Sequence, residues 1–274
     1  MQSEMNIAFI GGGNMAQALI GGLAGKLTAA SNIHVVDVIP ETLAALSQRF
    51  GVTTAAAPSD VLASADVIVL AVKPQQMREV VASVKPYVKA QLILSIAAGI
   101  RAADLSRWLG GHQAIVRTMP NTPALVGKGI TGAVAMAGVS AVQKQTADAI
   151  LRAVGDTVWL DDEGKIDAVT ALSGSGPAYV FYFIEAMQAA AVELGLTEAQ
   201  GRELAQATFA GASELAIRSD EPVSLLRERV TSKGGTTYAA LMSMEASGVK
   251  PAIVKALHAA AARGKELGDE FGKD

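Results

Sequence analysis

Short, continuous apolar runs recur along the first 160 residues, at 6–10, 33–37, 66–70, 91–96 and 114–118. Between them lie stretches with helical spacing, such as 15–24 and 41–48. Continuous apolar strands separated by amphipathic helices predict β-α-β units and a parallel sheet buried on both faces. Two more strand-like pieces, 131–136 and 156–160, flank a helix opened by Ser140-Ala-Val-Gln143, which has capping-box spacing.

After about Asp161 the strand signals stop and helix punctuation takes over. Pro177 stands where a first helical residue is favoured, and an apolar stretch follows as far as Gly195. Thr197-Glu-Ala-Gln200 opens a helix running to about Arg218. Pro222 opens a shorter one ending near Val230, 236–247 reads as a helix stopped by Gly248, and Pro251 starts the last. The reading divides the chain near residue 162, into a mostly parallel, doubly wound α/β domain over 1–162 and an all-α domain over 163–274. Glu185 is the single charge between residues 180 and 192. A helix apolar nearly all round is buried on several sides, either inside its own domain or against a second copy.

Composition narrows the chemistry. Half of the chain is hydrophobic but only 4% is aromatic, so the core is built from Ala, Val, Ile and Leu. A net charge of −3 without a basic block argues against nucleic acid as a partner. There is no cysteine, which excludes disulfides, thiolate metal sites and cysteine nucleophiles. The three histidines, His34, His112 and His258, fall at a strand start, a turn and a helix, and predict no metal site. The start, Met1-Gln-Ser-Glu-Met, lacks the basic stretch of a leader peptide. Continuous apolar runs such as 67–72 are far below the ~20 residues of a membrane helix. The expectation is a cytoplasmic protein with no membrane partner.

The strongest local signal is Gly11-Gly12-Gly13-Asn14-Met15-Ala16, a G-x-G-x-x-A pattern that follows a strand and opens a helix. Gly11 permits a tight turn, Gly13 admits a pyrophosphate to the backbone amides, and Ala16 lets helix and strand pack closely. The helix N-terminus supplies partial positive charge. Asp37 ends the next strand, where a carboxylate meets the adenosine ribose 2′-OH and repels a 2′-phosphate; this favours NADH. Its other reading is a capping or turn residue. The pattern predicts a Rossmann-type dinucleotide domain.

Other loops follow strand ends. Ala71-Val72-Lys73-Pro74 offers a helix start at Pro74 and, in Lys73, either a ligand for an anion or a solvated lysine. Ala97-Ala98-Gly99 leaves room for a flat ring. Asn121, between Pro120 and Thr122, offers its amide to a nicotinamide carboxamide or to the backbone of its own turn. In the second half, Val230-Thr-Ser-Lys-Gly-Gly-Thr-Thr237 exposes consecutive amides just before a helix. Hydroxyls of Thr231, Ser232, Thr236 and Thr237 surround that anion-favouring end. The alternative is a self-capped helix start. Arg227 and Arg229 precede this loop as candidate supports.

Taken together, 9–15, 71–74, 95–99, 119–123, 173–179 and 230–237 resemble the pyrroline-5-carboxylate reductase family over nearly the whole chain. The resemblance implies a Rossmann domain followed by an all-α dimerisation domain. The implied activity is NAD(P)H-dependent reduction of the C=N bond of L-1-pyrroline-5-carboxylate to L-proline, the last step of proline biosynthesis. Carried over by position, Ser232, Gly235, Thr236 and Thr237 hold the small-molecule substrate, with Thr237 as the catalytic hydroxyl and Glu163 as a further substrate contact. Gly11, Gly12, Gly13, Asn14, Met15, Ala16, Asp37, Ala71, Val72, Lys73, Pro74, Ala97, Ala98 and Asn121 form the cofactor set, for NADPH or NADH. The family implies a homodimer or a higher homo-oligomer, a decamer among them. NADPH-preferring members often carry Ser or Thr where this chain has Asp37-Val38. A β-hydroxyacid dehydrogenase, the nearest rival, needs a lysine on the first helix of its second domain, and none occurs between Lys165 and Lys233. A cofactor-sensing binding protein would show a degraded 232–237 loop.

Overall fold

The computed structural model describes residues 5–273. The segment 1–4, on which part of the leader-peptide reading rests, lies outside the described residues. One compact unit is formed by the chain up to Ser175 together with the segment from Ala260 onward; the other is Gly176–Ala259.

In the first unit eight strands make one sheet. They are β1 (Ile7–Ile10), β2 (Ile33–Val36), β3 (Thr53–Ala55), β4 (Val67–Leu70), β5 (Leu92–Ser95), β6 (Ile115–Met119), β7 (Gly129–Ala135) and β8 (Gly155–Trp159). Their order is β3-β2-β1-β4-β5-β6-β7-β8. All neighbours are parallel except β6 with β7. The sheet is the mostly parallel one the sequence predicts. β1, β4 and β5 are buried along their whole length, which is why they read as unbroken apolar runs. β3 escapes the sequence reading: three residues at the sheet edge, one of them exposed, carry no periodic signal.

Two apolar layers cover the sheet. One packs Leu19, Ile20 and Leu23 of α1 (Asn14–Leu23), Leu46 of α2 (Pro40–Phe50) and Ile150 of α5 (Ala141–Arg152) against Phe9, Val35 and Val69. The other packs Met77 and Val81 of α3 (Pro74–Val84) and Leu105 of α4 (Ala102–Trp108) against Ile10, Ile68 and Ile93. Side chains alternate between layers along each strand, as period-2 geometry requires. The Ser140 capping box is formed in both directions. After β8, α6 (Ile166–Val169) passes through a π-helical turn, Thr170–Gly174, closed by the bond from Ser175 N–H to Thr170 O.

The second unit is helical: α7 (Gly176–Glu193), α8 (Glu198–Arg218), α9 (Val223–Arg229), α10 (Thr236–Ala246) and the start of α11 (Val249–Phe271). The Thr197 capping box is formed, and α8 ends at Arg218. The last helix starts at Val249, two residues before the proline expected to open it. Pro251 lies in its first turn, where a missing amide costs no hydrogen bond. Inside this unit α7 packs on α8, yet α7 buries no residue and α8 only Gly201 and Ala205.

Candidate active site

The loops expected to meet a dinucleotide leave the carboxyl ends of adjacent strands. β1 lies between β2 and β4, so the chain reverses its direction of progress across the sheet at this point, where open α/β sheets gather ligands. Gly11 has φ +101°, and a β-carbon there would stand 2.6 Å from Ala71 O. Both constraints demand glycine. Gly12 is enclosed by Thr42 and Leu46, and its amide donates to Asp37 Oδ2 at 2.7 Å. Gly13 is the N-cap of α1; no side chain caps that helix, and nothing lies within 4 Å of where a β-carbon would be. Asn14 is exposed, Met15 half-buried and Ala16 fully packed.

Asp37 serves the turn as well as the loop, since Oδ1 accepts from Ile39 N–H at 2.9 Å. Ala71 and Val72 are half-buried, with the Val72 side chain against Gly11. Lys73 is exposed and precedes Pro74 at the start of α3. Ala97 is buried beside Ser95, and Ala98 is half-buried. Asn121 is buried and fully engaged: Oδ1 accepts from Ile130 N–H at 2.9 Å, and Nδ2 donates to Ser173 O at 3.2 Å. Its side chain therefore braces β7 and the π-helical turn, a use the sequence did not reveal.

Glu163 also belongs to this unit. Its Oε1 accepts from Arg117 Nη1 at 2.9 Å and from the first amide of α4, Ala102 N–H, at 2.7 Å. Arg117 is 3% exposed and its Nε has no partner. The sequence signal existed: a lone arginine inside the apolar strand 115–119 needs a carboxylate elsewhere. His34 hydrogen-bonds Thr53 and His112 the carbonyl of Gln91, while His258 is exposed; burial lowers the pKa of His34.

In the helical unit, Gly234 at φ +73° turns the chain so that Gly235 N–H donates to Ser232 O at 3.0 Å. The Ser232 hydroxyl lies over Gly235, where a β-carbon would approach it within 2.4 Å. Gly235 is the N-cap of α10, and no side chain caps that helix. Thr236 is exposed and Thr237 half-buried at the first turn. One of the four expected hydroxyls and one of the two expected supporting arginines are engaged elsewhere. The Thr231 hydroxyl donates to Arg227 O at 2.6 Å, and Arg229 forms a paired-nitrogen salt bridge with Glu221.

Comparisons with known proteins agree with both halves. Residues 163–267 match the family model described as pyrroline-5-carboxylate reductase dimerisation. Residues 6–99 match one described as NADP oxidoreductase, coenzyme F420-dependent. Pyrroline-5-carboxylate reductase of Pseudomonas aeruginosa is 46% identical over 272 residues, covering 99% of this chain and 100% of the relative. A solved pyrroline-5-carboxylate reductase from Coxiella burnetii superposes with a TM-score of 0.91 at 40% identity, covering 97% of this chain and 99% of that one. The Plasmodium falciparum pyrroline carboxylate reductase, solved with NADP bound, gives 0.88 at 30% identity over 98% of this chain and 100% of that one. The chain belongs to the pyrroline-5-carboxylate reductase family.

Proposed function

We propose that this protein reduces the C=N bond of L-1-pyrroline-5-carboxylate to L-proline, with NADPH or NADH as reductant. The observation that carries the reading is how helix starts are treated. Helices α5 and α8 open with full capping boxes, α2 and α3 open on prolines, and the first amide of α4 is taken by Glu163. Helices α1 and α10 instead begin on Gly13 and Gly235 with no side-chain cap; α9 also lacks one, but its N-cap is Pro222 rather than a glycine at the end of a glycine-rich loop. An anion at each start is favoured by the helix dipole and by charge-assisted hydrogen bonds of about 1.5–3 kcal/mol each.

The first start, with Gly11 to Ala16, suits a pyrophosphate, and the space at Gly13 fits the group. Asp37 serves the adenosine ribose, 71–74 the phosphate and ribose side, and Ala97 and Ala98 the nicotinamide half, while Asn121, its amide held by Ile130 and Ser173, braces the neighbouring backbone rather than the ligand. When bound, the reduced nicotinamide supplies the hydride. The second start suits the substrate carboxylate, held by amides at Gly235, Thr236 and Thr237 and by the Ser232 hydroxyl. The Thr237 hydroxyl steers the ring nitrogen. A cyclic imine can arrive already protonated, so the chain need not furnish a strong acid, and no His or Cys dyad is required. Orientation alone is worth about 7–11 kcal/mol of barrier. Glu163 is bound through Oε1 within its own unit, leaving Oε2 as the atom for any substrate contact.

On this reading residues 1–162 hold the cofactor, and 163–274 hold the substrate and form a homodimer or larger homo-oligomer. The dimerisation model starting at residue 163 supports that division. Among the described residues no helix is long and apolar enough to cross a membrane. We assign the protein to the cytoplasm, where reduced nicotinamide and the imine are solutes, with no nucleic-acid or membrane partner. The test is nicotinamide absorbance in a purified preparation. It should fall only when pyrroline-5-carboxylate is added, with proline as product. A steady absorbance with the imine, beside turnover of a hydroxyacid, would overturn the reading.

A further inference from the structure

The β5–α4 loop, which carries Ala97-Ala98-Gly99, is fastened on every side but one. Upstream, Ser95 O accepts from the buried Thr118 hydroxyl at 2.8 Å, and Ile96 N–H donates to Leu70 O at 3.1 Å. Downstream, Ala102 N–H donates to Glu163 Oε1, the oxygen that also neutralises buried Arg117. Between these anchors the loop rests on the end of α11, some 170 residues later in the chain yet part of the same compact unit.

That contact is close and made by particular residues. Gly99 turns at φ +73°, and a methyl group there would stand 3.2 Å from Cδ2 of Phe271 and 3.3 Å from Cβ of Leu267. Arg101 pairs with Asp269 and lies over Gly268, where a β-carbon would sit 3.2 Å from Nη2. Arg107 of α4 donates to Gly272 O at 2.7 Å, satisfying a carbonyl just past the end of α11. Gly264 and Gly268 are the only buried residues of α11. At Gly268 a β-carbon would press on the Arg101 guanidinium, whereas at Gly264 the nearest atoms, of Asp167, lie at ordinary contact distance; the tight approach of α11 to the loop is therefore at Gly268, one turn before Phe271.

We propose that the end of α11, through Gly268, Asp269 and Phe271, is a buttress that positions the Ala97-Ala98-Gly99 loop against the nicotinamide half of the cofactor. The inference rests on the cofactor reading above and deepens it. Phe271 is a positioning residue: it touches the loop from behind, and the loop touches the ligand. With the ring gone, Gly99 loses its backing, and its φ is no longer imposed by packing. The adenosine half, held at Gly11 to Ala16 and Asp37, is anchored by other strands and is not disturbed.

The experiment therefore compares two ligands on one protein. Equilibrium binding of NADH and NADPH is followed by nicotinamide fluorescence, and binding of ADP-ribose, which lacks the nicotinamide, by calorimetry. Phe271→Ala should weaken the dinucleotides about tenfold, as expected for loss of support behind a contacting loop, and move ADP-ribose by less than about twofold. Phe271→Leu, which keeps an apolar body against Gly99, should recover most of the loss. Arg101→Ala tests the same contact from the loop side without opening the core, and should weaken the dinucleotides by about fivefold. It also covers the case in which Phe271→Ala fails to fold. Equal weakening of all three ligands, or no change in any, overturns the buttress. A wild-type protein that binds ADP-ribose but neither dinucleotide overturns the placement of the nicotinamide and the buttress with it. One that binds none of the three overturns the cofactor reading itself.

Discussion

The Asp37 carboxylate accepts the amide hydrogen of Gly12 at 2.7 Å, so the acid closing β2 is bonded to the glycine turn closing β1. Its second oxygen holds Ile39 N–H. A negative charge is thus fixed beside the proposed ribose position, and side-chain rotation cannot remove it without breaking two bonds. A ribose 2′-OH can donate to this group, whereas a 2′-phosphate meets like charge. Asp37→Ser should raise the ratio of kcat/KM for NADPH over NADH about tenfold, equivalent to ~1.4 kcal/mol. Steady-state kinetics with both cofactors decide it, and an unchanged ratio removes Asp37 from cofactor choice.

Gly11 and Gly13 lie two residues apart but differ in what excludes a side chain. At Gly11 the obstacle is the protein: φ is +101°, and the carbonyl of Ala71 occupies the space. At Gly13 the backbone is extended, and the space is open. Gly11→Ala should destabilise the fold by about 1–3 kcal/mol, read as a lowered Tm. Gly13→Ala should leave unfolding free energy within about 0.5 kcal/mol of wild type, as for exposed substitutions, and so barely move Tm, yet weaken NADH markedly. Equal thermal losses would show that Gly13 serves the fold and not the ligand.

These two glycines also show how far a sequence can be read. Gly11-Gly12-Gly13 announced a strand-turn-helix because the spacing is local and each glycine answers a local demand. The parallel strands were legible because burial on both faces leaves an unbroken apolar run, and the capped helices because Ser140/Gln143 and Thr197/Gln200 are three residues apart. What stayed hidden depends on distant partners. Asn121 reads as a nicotinamide contact or a turn residue until Ile130 and Ser173 are brought to its two amide ends. Glu163 enters the sequence reading only as a substrate contact implied by resemblance, and its bonds to Arg117 and the start of α4 have no local signal. Thr231 looks like part of the anion loop, but the nearer carbonyl of Arg227 takes its hydroxyl.

Thr237 is half-buried in the first turn of α10, one residue past the amide that follows the Gly235 cap. A hydroxyl there adds a steerable contact to fixed backbone donors. Thr237→Ala keeps every amide in place and removes only that contact. It should lower kcat/KM for the imine by about ten- to a hundredfold, in line with loss of one hydrogen bond to a charged group, with NADH affinity unaltered. Circular dichroism checks that the fold persists. Wild-type turnover by this variant would end the assignment of Thr237 as the catalytic hydroxyl.

The helical unit buries little within itself. Its first two helices bury only Gly201 and Ala205. Phe181 is 60% exposed and Tyr182 71%, with Leu215 and Ile217 beyond two-thirds. Each large apolar side chain moved out of water contributes about 1.5–3 kcal/mol, so several such residues on two helices leave the isolated unit short of the burial a domain needs. A second copy supplies it, consistent with the match of this region to a dimerisation model. Stability that comes from association depends on concentration, so Tm should rise as protein is added. Phe181→Glu places a charge on that surface. It should shift the sedimenting species toward monomer, lower Tm at low concentration and leave the α/β unit folded, as followed by retained NADH binding. A variant that sediments as wild type, with a Tm independent of concentration, would show that the apolar face of α7 lies outside the interface.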